Sequence, residues 1–442
     1  MGSGVDEEAV EPLNSDVEPL RSDVEPLRSD VEPLNSDVEP LNSEVEPLNS
    51  DVEPLNSEVE PLRSEVAPLG SEVAPLNSDV EPLNSEVEPL NSEVEPLNSK
   101  VNSLTNDKMK ICIVGAGAIG GYLGAKLALA GEAVTLIARG SHLEAIQKNG
   151  LKLIMADGSS QVVNPSLATS NIQEAGTQDV VILTVKAHSV SAIAPALSAL
   201  YDSHTMVVTA QNGVPWWYFR QHGGEYEGTR IQSVDPDGII EANIGVDRVI
   251  GCVVYPATEI VEPGVIKHLE GDRLTLGEID GTKSDRIQSL AQTLKKAGFK
   301  APIRNQIRTE IWIKLWGNVA FNPISALTGA TLESICQYPL TRELARQMMT
   351  EAQAIAQNLG IKFGITLEQR INGAENVGAH KTSMLQDIEA GRPTEIDAIV
   401  GAVAELGKLT QIPTPCIDAI YASVKLLEAN KVTSLPIQNS HK

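Results

Sequence analysis

Gly115-Ala116-Gly117-Ala118-Ile119-Gly120 constrains this chain more than any other six residues in it. The run spells G-x-G-x-x-G and follows KICIV at 110–114, a β-branched stretch that reads as a buried strand. A helical pattern over 119–130 comes next and stops at Gly131, a natural C′ glycine. AVTLIA at 133–138 then reads as a second strand. Strand, glycine turn, helix and strand together open a βαβ unit, the context that gives this motif its meaning. The glycines let the backbone turn tightly and approach a pyrophosphate, which rests on the amides of a helix N-terminus. All six residues are therefore candidate dinucleotide contacts.

The end of the second strand selects between dinucleotides. A carboxylate there holds a ribose 2′-hydroxyl, but this chain has Arg139, followed by Gly140, Ser141 and His142. A guanidinium suits a 2′-phosphate by charge and by its two-pronged geometry, so NADPH is the expected cofactor. Further strand-like runs cover 179–185, 205–209 and 249–254, with Lys186 and Asn212 just past the first two. In open α/β sheets, ligands bind beyond the carboxyl ends of the strands.

The stretch 310–326, EIWIKLWGNVAFNPISA, is apolar nearly all round, and such a helix should be buried. Lys314, Asn318 and Asn322 nevertheless stack along one face at i, i+4 and i+8. Burying an ammonium and two amides without partners is expensive, so this face is expected to line a polar cleft. Pro323 is expected to end or kink the helix beside Asn322. Farther on, Thr394-Glu395-Ile396-Asp397 has the form of a capping box after Pro393. Read locally, Glu395 complements a helix dipole and Ser383 is a cap or a solvated hydroxyl.

The first hundred residues are of another kind. Valine recurs every seven residues with leucine three later, as in Val17/Leu20, Val24/Leu27 and Val31/Leu34, a spacing that imitates a coiled coil. Proline occupies the same place in each repeat from Pro12 to Pro96, and one interior proline costs a helix roughly 3 kcal/mol. Two small aliphatics per repeat cannot offset the ordering cost of about 1–2 kcal/mol per residue, so a disordered acidic segment is expected over 1–108. The acidity belongs to it. Of 59 acidic and 34 basic residues, residues 1–107 hold 27 and 4, a net of −23 within the chain's −25. The remaining −2 leaves no basic surface for nucleic acid. Four dispersed cysteines and seven histidines show no metal-ligand spacing, so no metal site is expected. No apolar run approaches a membrane span, and no signal peptide opens the chain, so no membrane association and a cytoplasmic location are expected.

Together GAGAIG, VKAHSV around Lys186, QNG around Asn212, KLWGNVAFNPISA and SMLQDIEAGRPTEID resemble the 2-dehydropantoate 2-reductase, or ketopantoate reductase, family. The resemblance covers roughly 109–427. It implies an NADP-binding Rossmann domain over 109–305 and a helical catalytic domain over 306–430, through which a homodimer is expected; a flexible tail is expected over 431–442. It further implies reduction of the C2 ketone of ketopantoate to (R)-pantoate by NADPH, in pantothenate and coenzyme A biosynthesis. By that resemblance Lys314 and Glu395 match catalytic residues. Asn212, Asn318, Asn322, Ser383 and Glu395 match substrate contacts, and Arg139, Lys186 and Asn212 match cofactor contacts. Two alternatives share the scaffold: a reductase of another small 2-keto acid, and a non-catalytic NADP-binding redox sensor. The aromatic segment after Asn212, PWWYF, departs from the family pattern and bears on substrate identity.

Overall fold

The computed structural model describes residues 108–433, with side chains described to residue 430. The repeat expected over 1–108 and the tail expected over 431–442 fall outside these residues, save Lys108 and the helical backbone of 431–433. Strand β1 (Lys110–Val114) alternates its side chains between two faces of a sheet. Ile111 and Ile113 enter one apolar cluster, and Cys112 and Val114 enter another. Burial on both faces is why the strand reads as a continuous apolar run. Helix α1 (Ala118–Leu129) follows, then β2 (Ala133–Ile137). Gly131 lies at φ +96°, its amide bonding to Ala128 and that of Glu132 to Leu127, so a Schellman turn closes α1.

The chain continues through α2 (Gly140–Asn149), β3 (Leu151–Ile154), β4 (Ser160–Val163), β5 (Leu167–Thr169) and β6 (Val180–Leu183). After short helical turns come β7 (Met206–Thr209), α3 (Ile239–Ile244), β8 (Val249–Val254), β9 (Ala257–Glu262), β10 (Val265–Glu270), β11 (Leu274–Glu278) and α4 (Asp285–Lys296). Seven strands form one sheet in the order β11-β8-β7-β6-β1-β2-β5, parallel except for β11 against β8. The order reverses at β1, so β1 and β6 define the switch point where a ligand crevice opens. A smaller sheet, β4-β3-β10-β9, carries β10 against α1, where Ile266 reaches Gly121.

All later elements are helical: α5 (Ile307–Thr328), α6 (Leu332–Gln337), α7 (Pro339–Asn358), α8 (Leu367–Asn376), α9 (Ser383–Glu389), a π turn (Asp397–Gly401), α10 (Ala402–Leu409) and α11 (Pro415–Thr433). The architecture is thus a Rossmann-type sheet followed by an all-α part, as expected. Helix α5 does not end at Pro323. It runs five residues further and stops at Gly329, which takes φ +71°. Phe321, Ile324 and Ala326 are buried there, and their packing outweighs the missing proline amide.

The aromatic segment after Asn212 belongs to the core. Trp216 and Trp217 join the cluster under the sheet, whereas Tyr218 and Phe219 join the cluster among the helices. Arg308 on α5 donates to the carbonyls of Tyr218 (2.7 Å), Arg220 (2.7 Å) and Ile279 (2.6 Å). Five residues of loop therefore tie the sheet to the helices.

Candidate active site

The glycine turn forms a cradle that side chains would fill. A Cβ on Gly115, at φ +105°, would lie 2.7 Å from the Val185 amide nitrogen. A Cβ on Gly120 would collide with the Gly115 carbonyl and lie 2.5 Å from Thr184 Oγ1. Gly117 has no such constraint, for its nearest neighbour would be 3.9 Å away. The first and third glycines thus serve the turn and the packing of α1 on β1. The middle one, exposed at the N-cap of α1, leaves the backbone open to an incoming phosphate. Ala116 is buried behind it, and Ala118 and Ile119 start the helix whose first amides point at the same space. These residues fit a dinucleotide pyrophosphate.

Arg139 sits one residue beyond Ala138, at the N-cap of α2. Its side chain is exposed and, among the described residues, has no protein partner. Lys186 follows β6 and is half-buried. Its Nζ lies 2.6 Å from Asp387 and 3.5 Å from Glu395. Burial works against its charge, but the two carboxylates prevail and hold its pKa above the ordinary lysine value.

Glu395 is 6 % exposed. Its Oε1 accepts the Ala187 amide at 3.1 Å, and its Oε2 accepts Asn212 Nδ2 at 3.1 Å. The capping box expected at 394–397 does not form. The Thr394 hydroxyl accepts from Ile396, the Thr394 amide donates to Glu428, and Asp397 is engaged by Tyr421 and Lys425. Glu395 turns inward because 397–401 is a π turn docked on the Asn212 loop, with the Val214 amide bonded to the Ala398 carbonyl. Gly213 must be glycine there. It takes φ +95°, and a Cβ would collide with that carbonyl.

Asn212 is fixed at both ends. Its Oδ1 accepts from Lys314 Nζ at 2.8 Å while its Nδ2 donates to Glu395, so the amide cannot flip without losing both bonds. Lys314 also donates to the Val254 carbonyl at the end of β8. Its partners are neutral, so burial dominates and lowers its pKa to about 8, with Glu395 and Cys252 pulling the other way. Asn322 is 6 % exposed and Asn318 half-buried, and among the described residues neither amide has a protein partner. Ser383 is exposed on the first residue of α9, and Thr382 caps that helix by accepting the Leu385 amide.

Lys314, Asn212, Glu395 and Lys186 therefore form one connected group, with Ser383 and Arg139 outside its hydrogen bonds. Asp387 belongs to the group but was not expected from sequence. It also accepts from Arg392 Nε at 3.1 Å. The Lys186–Asp387 contact spans 201 positions, and no local pattern announces it. Among the described residues no cluster could hold a metal ion, and no helix is long and apolar enough to cross a membrane.

Chemically, the group offers a lysine whose pKa burial lowers to about 8, held by an amide with one possible orientation and backed by a buried carboxylate. It lies beyond the carboxyl ends of β6, β7 and β8. A group so placed is chemically able to donate a proton in the crevice of a dinucleotide fold.

Residues 111–281 match the family described as Ketopantoate reductase PanE/ApbA, and residues 306–428 match Ketopantoate reductase PanE/ApbA C terminal. The chain is 56 % identical over 324 residues to a 2-dehydropantoate 2-reductase from Mesorhizobium japonicum, covering 73 % of this chain and 99 % of that one. A crystal structure from Ralstonia solanacearum, named as a candidate ketopantoate reductase, superposes with a TM-score of 0.70 at 44 % identity. It covers 74 % of this chain and 99 % of its own. A D-mandelate dehydrogenase solved with NADH and anilino(oxo)acetate shares the fold, with a TM-score of 0.64 at 23 % identity over 73 % of this chain and 99 % of that one.

Proposed function

This chain belongs to the ketopantoate reductase family, and on that premise we propose that it reduces the C2 ketone of 2-dehydropantoate to (R)-pantoate with NADPH, using Lys314 as the acid. The family is one of NAD(P)-dependent oxidoreductases. The choice of NADPH rests on Arg139, a guanidinium at the end of β2 with no protein partner among the described residues. When bound, the cofactor supplies the hydride that adds to C2. The residues of this chain do the rest.

The Lys314–Asn212–Glu395 chain of bonds carries the reading. As the ketone oxygen gains negative charge, the Lys314 ammonium stabilises it and then gives up a proton from Nζ. A pKa of about 8 leaves the group mostly protonated at neutral pH yet willing to part with its proton. Asn212 keeps Nζ aimed, and Glu395 holds Asn212 while resisting premature loss of the proton. Lys186 pairs with the Glu395 carboxylate and is itself held by Asp387. Asn318 and Asn322, on the same face of α5 as Lys314, offer amides without a protein partner among the described residues for the substrate hydroxyl and carboxylate, and Ser383 extends that set.

The test is the consumption of NADPH with a panel of 2-keto acids: 2-dehydropantoate, its shorter and unbranched analogues, and an aromatic 2-keto acid. The highest kcat/KM is expected for 2-dehydropantoate. A tenfold preference for another acid would overturn the substrate, and no keto-acid-dependent turnover would overturn the activity.

A further inference from the structure

Arg370 on α8 is half-buried, and among the described residues its guanidinium has neither a hydrogen-bond nor an ion-pair partner. Arg308, which is also partly buried, satisfies its donors on three carbonyls. A partly desolvated guanidinium without acceptors is costly and calls for a reason. Burial lowers its pKa, as expected where no carboxylate stands beside it.

Its position supplies the reason. The guanidinium lies against Gly317, where a Cβ would sit 2.9 Å from Cζ and nearer still to a terminal nitrogen. Gly317 is one helical turn beyond Lys314 and directly precedes Asn318, so the guanidinium flanks the polar face of α5. Its charge also reaches the far wall. Burial raises the Tyr255 phenol's pKa, and Arg370 is among the groups that oppose that rise. Tyr255 follows Val254, whose carbonyl holds Lys314 Nζ.

Charge balance points the same way. Lys186 is occupied by Asp387 and Glu395, and Lys314 is committed to the ketone oxygen. A 2-keto acid still needs a cation for its carboxylate, whose carbon is bonded directly to the ketone carbon. A guanidinium one helical turn from Lys314, about 5–6 Å along the helix, matches that reach. We propose that Arg370 binds the carboxylate of the 2-keto acid, and that residue 317 is glycine because the guanidinium occupies the space of a side chain.

This inference rests on the reductase reading above, and the test separates the two. Kinetics at saturating NADPH would compare 2-dehydropantoate with its neutral amide, the amide read by turnover or as a competitive inhibitor. Arg370→Gln should raise KM for the acid by roughly 10- to 100-fold, the range for charge-assisted bonds. The constants for the amide and for NADPH should stay within about twofold by the same reasoning. Arg370→Lys should recover part of the loss, since it keeps the charge without the fork. Gly317→Ala should raise KM for the acid by displacing the guanidinium, and alanine favours a helix, so melting should not fall. Equal losses on acid and amide, or unchanged KM for the acid in both Arg370→Gln and Gly317→Ala, would overturn the inference while wild-type turnover upholds the reductase. A wild-type chain that reduces no 2-keto acid overturns both.

Discussion

Glu395 never touches Lys314, yet it should set the pH at which the enzyme works. Lys314 Nζ is 2.8 Å from Asn212 Oδ1, and Asn212 Nδ2 is 3.1 Å from Glu395 Oε2. With the span of one amide between them, ammonium and carboxylate are no more than about 8 Å apart. Two unit charges at that separation interact by about 2 kcal/mol at an effective dielectric constant of about 20, or roughly 1.5 pKa units before solvent screens the pair. Reduction needs the protonated lysine, so kcat/KM for the keto acid should be flat at neutral pH and fall as pH rises through about 8. The negative charge of Glu395 favours the ammonium, so removing it must lower the pKa. In Glu395→Gln the falling limb should move down by about one unit, to near pH 7. Close to pH 8 the variant should therefore lose about fivefold in kcat/KM through protonation alone, approaching tenfold above about pH 9, on top of any loss from a misaimed Asn212. The assay is a pH profile of kcat/KM at saturating NADPH for both proteins. A limb that stays near 8, or moves upward, would show that Glu395 does not act on Lys314 through its charge.

Arg139→Ala should weaken NADPH by roughly 10- to 100-fold, from a lost contact of about 1.5–3 kcal/mol, while NADH changes little. Equal losses in titrations with the two cofactors would show that Arg139 does not read the 2′-phosphate. Shortening the chain to start at Met109 should leave kcat/KM within about twofold and melting within about 5 °C. Both apolar clusters of the sheet close within residues 109–311, and the Met109 amide already donates to Glu132 Oε2 at 2.8 Å. A larger drop in either measurement would mean that residues 1–108 pack on the enzyme.

The parts of the site legible in sequence are those written in short-range chemistry. The three glycines, the strands before Arg139, Lys186 and Asn212, and the i, i+4, i+8 stripe all follow from local period and sterics. Glu395 shows where local reasoning stops. Thr394-Glu395-Ile396-Asp397 has a cap's composition, but a π turn and the Gly213 loop, 182 positions before Glu395, recruit the carboxylate inward. The Asn212–Glu395 and Lys186–Asp387 bonds span 183 and 201 positions, so no window of the sequence contains them. Only the resemblance assigned Glu395 to the site. Pro323 is the converse case: a strong local stop signal that burial of its neighbours overrides.

Lys314 itself is held at a thermodynamic cost, and that cost can be measured. Burial lowers its pKa in the fold to about 8, below the ordinary lysine value of 10.5, so the unfolded chain binds this proton more tightly. Stability from this group is therefore present above the unfolded pKa and lost as pH falls through the folded one. Integrated over the gap of about 2.5 units, the penalty at neutral pH is at most about 3 kcal/mol. In Lys314→Met the penalty disappears, but the Val254 carbonyl and Asn212 Oδ1 lose their donor, which costs about 1–3 kcal/mol each. The net change at one pH is thus a difference of comparable terms. Its pH dependence is not, because the lost acceptors do not titrate. Wild type should gain on Lys314→Met by up to about 3 kcal/mol between about pH 7 and about pH 10.5, read as the difference between their urea midpoints. The same variant should lose about 10²- to 10⁴-fold in turnover while binding NADPH normally. Parallel stability profiles for the two proteins would mean that Lys314 is not desolvated, and near-normal turnover would remove it as the acid.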